Sequence, residues 1–290
     1  MRTVTAVHAA QRDDIADLVT RRPLPGPDLE QVDPFLFLNH HGPQVYAPDN
    51  HGLPFGPHPH RGFETVTFIL QGSLAHHDSG GHESVIEAGG VQWMTAGSGL
   101  VHAELSPDAF KRDGGPLEIL QLWLNLPPPL KMTAPAYTGL QKADIPALSI
   151  AAGNGTLNLI SGEFGGEAGP IKPLTEVFMS TVELKAGAKT ALQVGRERNV
   201  FLYVVAGRID LDGVTADKWH LVELSNDDDT FVVGAIDDAL LLYGHAEPIG
   251  APVVARGPFV MNTDEEIQQA IADYRSGKFG DPSALGEVGA

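Results

Sequence analysis

Short apolar runs punctuated by glycine and proline make up most of the chain. In the first half these runs occupy residues 63–70, 73–79, 84–87, 91–96, 100–105 and 118–126. The pattern resumes at residues 157–161, 177–184, 190–194, 200–206, 208–211, 220–224, 230–235 and 239–243. Strands of this length, recurring roughly every 8–12 residues, are typical of an all-β sandwich or barrel.

The segments around these runs predict one further strand and two loops. Residues 33–43 form an apolar run that is closed by Gly-Pro, which predicts a strand. Residues 21–27 are polar and contain proline, and residues 44–57 are rich in Pro, Gly and Asn. Both compositions predict loops.

A single helix is predicted, at residues 263–276. Thr263 is a suitable N-cap, and the acidic residues 264–266 that follow it suit the positive end of the helix dipole. Gly277 ends the pattern. An apolar stripe at i, i+3, i+4 and i+7 gives the helix one buried face, formed by Ile267, Ala270, Ile271 and Tyr274.

The chain of 290 residues is long enough for two domains. A proline-rich stretch at 127–135 predicts the boundary, with an N-terminal domain at 1–132 and a C-terminal domain at 133–290. An internal sequence repeat supports two similar domains, because FILQGSL at 68–74 resembles YVVAGRI at 203–209. The second segment begins 135 residues after the first. At that separation, Gln193 and Gly195 take the positions that His58 and His60 have in the first half.

Composition excludes several classes of function. The net charge is −18, from 37 acidic and 19 basic residues, so direct binding to nucleic acid or to an anionic membrane is not expected. No cysteine is present, which excludes disulfides, thiolate metal sites and cysteine nucleophiles. Charged residues at 12–14 interrupt the N-terminal segment and no apolar run approaches ~18 residues, so we expect a cytoplasmic protein.

Two pairs of polar residues form the main candidate site. His58 and His60 are one residue apart, as are His102 and Glu104. Side chains at i and i+2 of a strand point to the same face, so each pair would aim into one space. Three imidazoles and a carboxylate suit one borderline divalent ion, which could be Fe(II), Mn, Ni, Cu or Zn.

The spacing leaves the choice of carboxylate open. Glu64 follows His60 by four residues, an even spacing that would place it on the same face of a continuous strand. A second candidate site therefore consists of His58, His60, Glu64 and His102, with Glu104 nearby as an acid or base. We expect the remaining histidines, including His76 and His77, to be exposed or paired structurally, with one of them near the site at most.

The chain resembles the pirins, which are bicupins. First-motif residues of the cupin superfamily match His58, His60, Glu64 and Gly72, and the second-motif histidine matches His102. The resemblance extends along most of the chain and rests on DPFL at 33–36 with GP at 42–43, GPHPHRGFETVT at 56–67, GSGLVHAE at 97–104 and GPFVMNT at 257–263.

The resemblance implies an all-β bicupin of two double-stranded β-helix (jelly-roll) barrels, followed by a C-terminal helix. It also implies one iron ion, most simply Fe(II), in the N-terminal domain, and no metal ligands in the C-terminal one. The implied ligands are His58, His60, His102 and Glu104, with Glu64 in an outer role.

Two functions follow from the resemblance. Bacterial pirin-like proteins resemble quercetin 2,3-dioxygenases, in which O2 opens the central ring of a flavonol. That reading makes Glu104 or Glu64 the catalytic base and Phe55, Trp93 and Met94 candidate walls of the substrate pocket. The alternative is an iron- and redox-dependent regulatory protein that binds a protein partner without catalysis, as eukaryotic pirins are implied to do.

Overall fold

A computed structural model describes residues 1–281 and residue 285 of the chain. Strands dominate it, which confirms the predicted all-β class. The strands of the first half are β1 (Val4–Ala9), β2 (Gln11–Arg12), β3 (Thr20–Leu24), β4 (Phe35–Tyr46), β5 (Phe55–His60), β6 (Phe63–Gln71), β7 (Ser73–Asp78), β8 (Glu83–Glu87), β9 (Val91–Thr95), β10 (Leu100–Leu105), β11 (Gly115–Asn125), β12 (Ala136–Leu140) and β13 (Ala147–Ile150).

The second half also consists mainly of short strands. Its strands are β14 (Gly155–Ser161), β15 (Glu163–Phe164), β16 (Glu167–Ala168), β17 (Phe178–Leu184), β18 (Lys189–Gln193), β19 (Asn199–Ala206), β20 (Arg208–Leu211), β21 (Val214–Asp217), β22 (His220–Leu224), β23 (Thr230–Ala235), β24 (Ala239–Ala246), β25 (Val254–Arg256) and β26 (Phe259–Met261). The α-helices are α1 (Asp108–Asp113) and α2 (Asp264–Arg275), and short 3-10 turns lie at Pro128–Leu130, Lys142–Asp144 and Ala151–Gly153.

The chain divides into two compact units, and each draws on more than one segment. The C-terminal unit comprises residues 1–11, 22–36 and 144–248, and the N-terminal unit comprises 12–21, 37–143 and the chain from Ile249 onwards. These units differ from the continuous division predicted at residue 132. The last part of the predicted C-terminal domain, at 282–284 and 286–290, lies outside the described residues.

The N-terminal unit contains two packed sheets. A seven-stranded sheet runs in the order β12-β9-β6-β11-β4-β3-β2, and a four-stranded sheet runs β5-β10-β7-β8. Ile69 and Ile119 from the larger sheet share one apolar core with Leu74 and Ile86 from the smaller sheet. Burial of these side chains between two sheets produces a jelly-roll barrel.

The C-terminal unit repeats this plan. Its sheets run β1-β22-β19-β24-β17-β14-β13 and β18-β23-β20-β21. One core cluster joins Leu202 and Leu241 of the larger sheet to Leu192 and Phe231 of the smaller one. The predicted bicupin architecture is therefore confirmed.

The internal sequence repeat contains equivalent turns in the two units. Gly72 joins β6 to β7, and Gly207 joins β19 to β20, with φ values of +82° and +76°. An added Cβ would lie 2.7 Å from the Pro116 carbonyl oxygen at Gly72 and 2.2 Å from the Asp238 carbonyl oxygen at Gly207. Both turns thus require glycine for the same two reasons, positive φ and close backbone approach.

Two local predictions were wrong in detail. Residues 21–27 were expected to be a loop, but β3 occupies Thr20–Leu24. The predicted loop at 44–57 is shorter, because β4 extends to Tyr46 and β5 begins at Phe55. Pairing with neighbouring strands overrides local composition here, and such pairing is not visible in a short window.

The predicted terminal helix is present as α2. Thr263 accepts a hydrogen bond from the Glu266 amide, and the Glu266 side chain accepts one from the Thr263 amide, which completes a capping box. Ile267 and Ala270 are buried in a cluster with Val101 and Phe259 of the same unit. Neither α-helix in the described part of the chain combines the length and the apolar composition needed to cross a bilayer.

An ion pair ties α2 to the segment that follows β5. The Arg61 guanidinium donates to Asp273 Oδ2 at 2.9 Å and to the Ser98 carbonyl at 2.8 Å, and it lies over the Phe279 ring. Hydrogen bonds from Lys278, Arg61 and Gln269 hold the pKa of the Asp273 carboxyl far below its usual value. The residue after His60 is thereby fixed by the C-terminal segment.

We expect Asp273→Asn to lower the melting temperature at pH 7, because Arg61 then loses its charged partner. A carboxyl with a depressed pKa stabilises the fold above its unfolded pKa, and this contribution disappears as the pH falls through the folded pKa. The difference from wild type should therefore shrink below about pH 4 in melts followed by circular dichroism. An equal difference at pH 7 and pH 3 would contradict this account.

Candidate metal centre

Pairing of β5 with β10 brings the histidines together. The two strands are antiparallel, with His58 directly opposite His102 and His60 opposite Leu100. His58 and His60 share one face of β5, as their spacing predicts. The register shifts between His102 and Glu104, which marks a bulge of the kind that re-aims side chains beside functional sites.

The three imidazoles form a compact group. One ring nitrogen from each of His58, His60 and His102 lies within 4.8 Å of those of the other two. The ring centroids are 4.4 Å apart for His58 and His102, 4.8 Å for His58 and His60, and 4.9 Å for His60 and His102. Among the described residues, this close group of potential ligands contains neither Glu104 nor Glu64.

Backbone carbonyls select the tautomers of two of these histidines. His58 Nδ1 lies 2.8 Å from the Gly56 carbonyl oxygen, and His60 Nδ1 lies 3.2 Å from the Pro258 carbonyl oxygen. A carbonyl can only accept, so each Nδ1 must donate its hydrogen. Each neutral ring then keeps its lone pair on Nε2, which is the arrangement that metal-binding histidines use.

Burial keeps the inner histidines neutral. Desolvation, with a smaller contribution from His58, lowers the pKa of His60 to about 3. Burial is the main cause that lowers the pKa of His102 well below its usual value. The charges of His58, His60 and His76 lower this pKa further. Neutral imidazole is the form that binds a cation, so no proton has to be displaced.

His102 supplies the clearest sign that the site fits a cation. Its side chain is 1% exposed, and neither ring nitrogen has a hydrogen-bond partner among the described residues. An unpaired buried polar atom costs about 1–3 kcal/mol. A divalent ion bound by the three imidazoles would satisfy one of these nitrogens, and three nitrogen ligands suit Fe, Ni, Cu or Zn.

Glu104 follows His102 by two residues on β10, and its carboxylate is held by two polar side chains. It is 3% exposed; Thr67 Oγ1 donates to its Oε1 at 2.8 Å, and Gln121 Nε2 donates to its Oε2. Thr67 and Gln121 face each other across β6 and β11. The carboxylate is therefore held on the inner face of the larger sheet, within the barrel that contains the histidines.

Glu64 occupies a different environment. Thr95 Oγ1 donates to its Oε1 at 2.7 Å, and its buried Oε2 has no partner among the described residues. Desolvation raises the pKa of Glu64, against the opposing effect of Thr95 and Trp93. The Glu64 carboxyl is thus biased towards its protonated form.

Even spacing does not align Glu64 with the histidines. The strand ends at His60 and a new one begins at Phe63, in the other sheet. Within β6, Glu64 alternates with Thr65 and Thr67, so its side chain points away from the face that carries Thr67. The spacing argument for a shared face therefore fails, because it assumed one continuous strand.

Aromatic side chains line the same region, and the sequence did not single out Trp123 among them. The ring of Trp123 lies 5.4 Å from His60, 4.4 Å from Phe63 and 4.6 Å from Phe37. Trp123 belongs to β11, on the face that also carries Gln121. Only the pairing of distant strands reveals this neighbour.

The predicted pocket walls have different surroundings. Phe55 is partly exposed and lies 5.2 Å from the His41 ring. Met94 is buried in a small apolar cluster with Ala96 and Leu100, and Trp93 is also buried. Phe55 is therefore the accessible member of the three.

His76 was expected to be exposed or structurally paired, and it is buried and paired. Its ring stacks on Tyr137 at 4.0 Å, lies 5.5 Å from the His102 ring, and bonds to Asp78 through Nε2 at 3.0 Å. Its neighbour His77 points to the other face of β7 and is partly exposed. His77 therefore serves as a natural control position for the site.

Two family profiles match most of the chain. The profile described as Pirin matches residues 17–124, and the profile described as Pirin C-terminal cupin domain matches residues 179–280. A pirin-like protein of Caulobacter vibrioides is 40% identical over 268 residues, which cover 92% of this chain and 94% of that protein.

Solved structures agree with this assignment. A crystal structure of quercetin 2,3-dioxygenase from Acinetobacter baumannii superposes with a TM-score of 0.90 at 32% identity, covering 97% of this chain and 99% of that one. A bacterial pirin from Escherichia coli in complex with nickel(II) shares the fold, with a TM-score of 0.67 at 21% identity and coverage of 84% and 99%. Fold, motifs and relatives together place this chain in the pirin family.

Proposed function

We propose that this protein is a metal-dependent quercetin 2,3-dioxygenase that uses one Fe(II) ion in its N-terminal unit. The observation that carries the proposal is the convergence of the imidazoles of His58, His60 and His102, of which His102 has no partner for either ring nitrogen among the described residues. The buried carboxylate of Glu104 follows His102 by two residues on the same strand. The quercetin 2,3-dioxygenase that shares 32% of the sequence supports the choice of reaction.

His58, His60 and His102 would hold the ion, with Glu104 as the fourth ligand. The Gly56 and Pro258 carbonyls fix the donor nitrogens of the first two histidines. The Glu104 carboxylate, which accepts hydrogen bonds from Thr67 and Gln121, would supply an oxygen ligand. Nickel(II) in the Escherichia coli pirin supports a divalent transition metal, and Mn, Ni, Cu and Zn are the competing ions.

A bound Fe(II) ion would act as a Lewis acid on a flavonol oxygen and support the reaction with O2. Glu104 would accept the proton of the flavonol hydroxyl at a carboxylate oxygen, which leaves an electron-rich enolate. Trp123 would stack on one face of the planar substrate, with Phe37 and Phe63 fixing the indole. Both oxygen atoms of O2 enter the ring-opened product, and one ring carbon leaves as carbon monoxide.

Glu64 is assigned an outer role. β6 directs its side chain away from the face of Thr67, whose hydroxyl donates to Glu104. A metal-dependent regulatory role through a protein partner is the alternative. No specific feature of the described residues favours it over catalysis.

The first test is aerobic bleaching of quercetin by protein loaded anaerobically with Fe(II). We expect the flavonol absorption to decay with wild type and with His77→Ala, whose side chain lies outside the metal group. His58→Ala combined with His102→Ala should lose activity and bound iron together, because two of three imidazole ligands are removed. Absorbance decay, carbon monoxide release and iron content provide the three readouts.

Bleaching by the double variant at the wild-type rate would show that the imidazole group is not the catalytic centre. No bleaching of quercetin or of other flavonols by iron-loaded wild type would exclude the dioxygenase. The regulatory alternative would then be tested by capture of protein partners with Fe(II)- and Fe(III)-loaded protein.

A second test separates the two carboxylates. Glu104→Gln should lower kcat per bound iron by ~10²–10⁴-fold, the usual range for loss of a general base. Glu64→Gln should lower it by less than about threefold, because the Glu64 side chain points away from the face that carries Thr67. A larger loss in Glu64→Gln than in Glu104→Gln would reverse the assignment of the base.

A further inference from the structure

The C-terminal unit has cavities in the region that corresponds to the metal centre of the N-terminal unit. Gln193 and Gly195, which stand at the repeat positions of His58 and His60, line a cavity of about 310 Å³. An adjoining cavity of about 720 Å³ shares Glu163, Phe178 and His245 with it. Cavities of this size hold small organic molecules.

Two strands place aromatic and polar side chains at this position. Phe178 of β17 is opposite His245 of β24, and Ser180 is opposite Tyr243. Phe178 and Tyr243 belong to the core cluster inside the barrel, so all four side chains share its inner face. The rings of Phe178 and His245 lie parallel, with centroids 4.5 Å apart.

Arg198 fixes the hydrogen-bonding role of His245. Its Nε donates to His245 Nδ1 at 2.7 Å, so the hydrogen of the neutral imidazole resides on Nε2. Burial, followed by the charges of Arg198 and Arg2, lowers the pKa of His245 to about 3. His245 Nε2–H is therefore a permanent neutral donor at the edge of the cavities.

Two hydroxyl groups accompany this donor. Burial raises the pKa of Tyr243, which lines the smaller cavity, so its phenol stays protonated. Ser180 is fully buried, and its Oγ has no partner among the described residues. An unpaired buried hydroxyl on the face that lines a cavity needs a water molecule or a ligand as its partner.

The charges around the cavities favour an uncharged ligand. Glu163, Glu176 and Asp229 line them, against Lys172 and Arg198. Arg198 already donates to the Glu176 and His245 carbonyls as well as to the His245 ring. A carboxylate ligand would therefore meet repulsion and find few free donors on the arginine.

We propose that the C-terminal unit binds a small planar aromatic molecule with a neutral oxygen acceptor, such as a ketone, in the cavity lined by Phe178, Tyr243 and His245. The donors Tyr243 Oη and His245 Nε2 bind the acceptor oxygen, and the aromatic side chains contact the ring. This site is independent of the proposed dioxygenase activity, because all of its residues lie in the C-terminal unit.

The test uses 4-hydroxyacetophenone as the neutral probe and 4-hydroxybenzoate as its charged counterpart. Binding is measured by equilibrium dialysis on the full chain in the His58→Ala, His102→Ala background, which removes the imidazole site. A ligand of about ten non-hydrogen atoms should bind with a Kd on the order of 1 mM. The benzoate should bind at least about fivefold more weakly.

Tyr243→Phe removes one hydroxyl and retains the ring, and His245→Phe retains the stacked ring while removing the second donor. Each substitution should raise the Kd of 4-hydroxyacetophenone by at least about fivefold, because it removes one neutral hydrogen bond. The proposal is overturned if 4-hydroxyacetophenone shows no saturable binding. It is also overturned if the Kd values of both variants lie within fivefold of the Kd of the His58→Ala, His102→Ala protein. Equal or tighter binding of the benzoate would overturn the neutral class of ligand.

Discussion

The pairing of β5 with β10 is the constraint on which the candidate centre depends. It sets His58 against His102 across two strands and leaves His60 on the same face. The end of β5 is held by distant parts of the N-terminal unit: His60 bonds to the Pro258 carbonyl, and Arg61 bonds to Asp273 of α2. The imidazoles are thus positioned by backbone pairing and long-range anchors together, which is how a metal site is kept rigid.

The backbone at Gly62, just after the histidine pair, packs directly against the C-terminal segment. Its φ is +90°, and an added Cβ would lie 2.0 Å from the Val260 carbonyl oxygen. The buried amine of Lys131 donates to both the Gly62 and Val260 carbonyls, and burial lowers the pKa of this amine to about 8. The conformation directly after the histidine pair therefore depends on a segment almost two hundred residues away in the chain.

The two units illustrate how one barrel plan supports different chemistry. Equivalent turns at Gly72 and Gly207 show that the backbone repeats, while the side chains at the barrel interior do not. The N-terminal unit presents three converging imidazoles, of which His102 has no partner for either ring nitrogen among the described residues, and the C-terminal unit presents an imidazole already bonded to Arg198. Function in each unit follows from these side chains, and the shared fold only provides their positions.

Local signals explain which features could be predicted from sequence. The histidine pairs were identifiable because i and i+2 residues share a strand face, and α2 was identifiable from its cap and apolar stripe. The alternative that placed Glu64 on the face of the histidines failed, because the break between β5 and β6 at Arg61-Gly62 carries no strong local sign of a change of sheet. Three neighbours were missed because only long-range pairing brings them to the site: Trp123 and the Pro258 carbonyl approach His60, and Gln121 bonds to Glu104.

Anomalous diffraction at the iron edge, from crystals of the Fe(II)-loaded protein, would locate the bound ion. We expect one peak per chain in the N-terminal unit, bound by Nε2 of His58 and His60, by a ring nitrogen of His102 and by Glu104. We expect no peak near Gln193 and Gly195. A peak bound elsewhere, or an imidazole group without iron in iron-saturated crystals, would show that the three histidines are not the metal site.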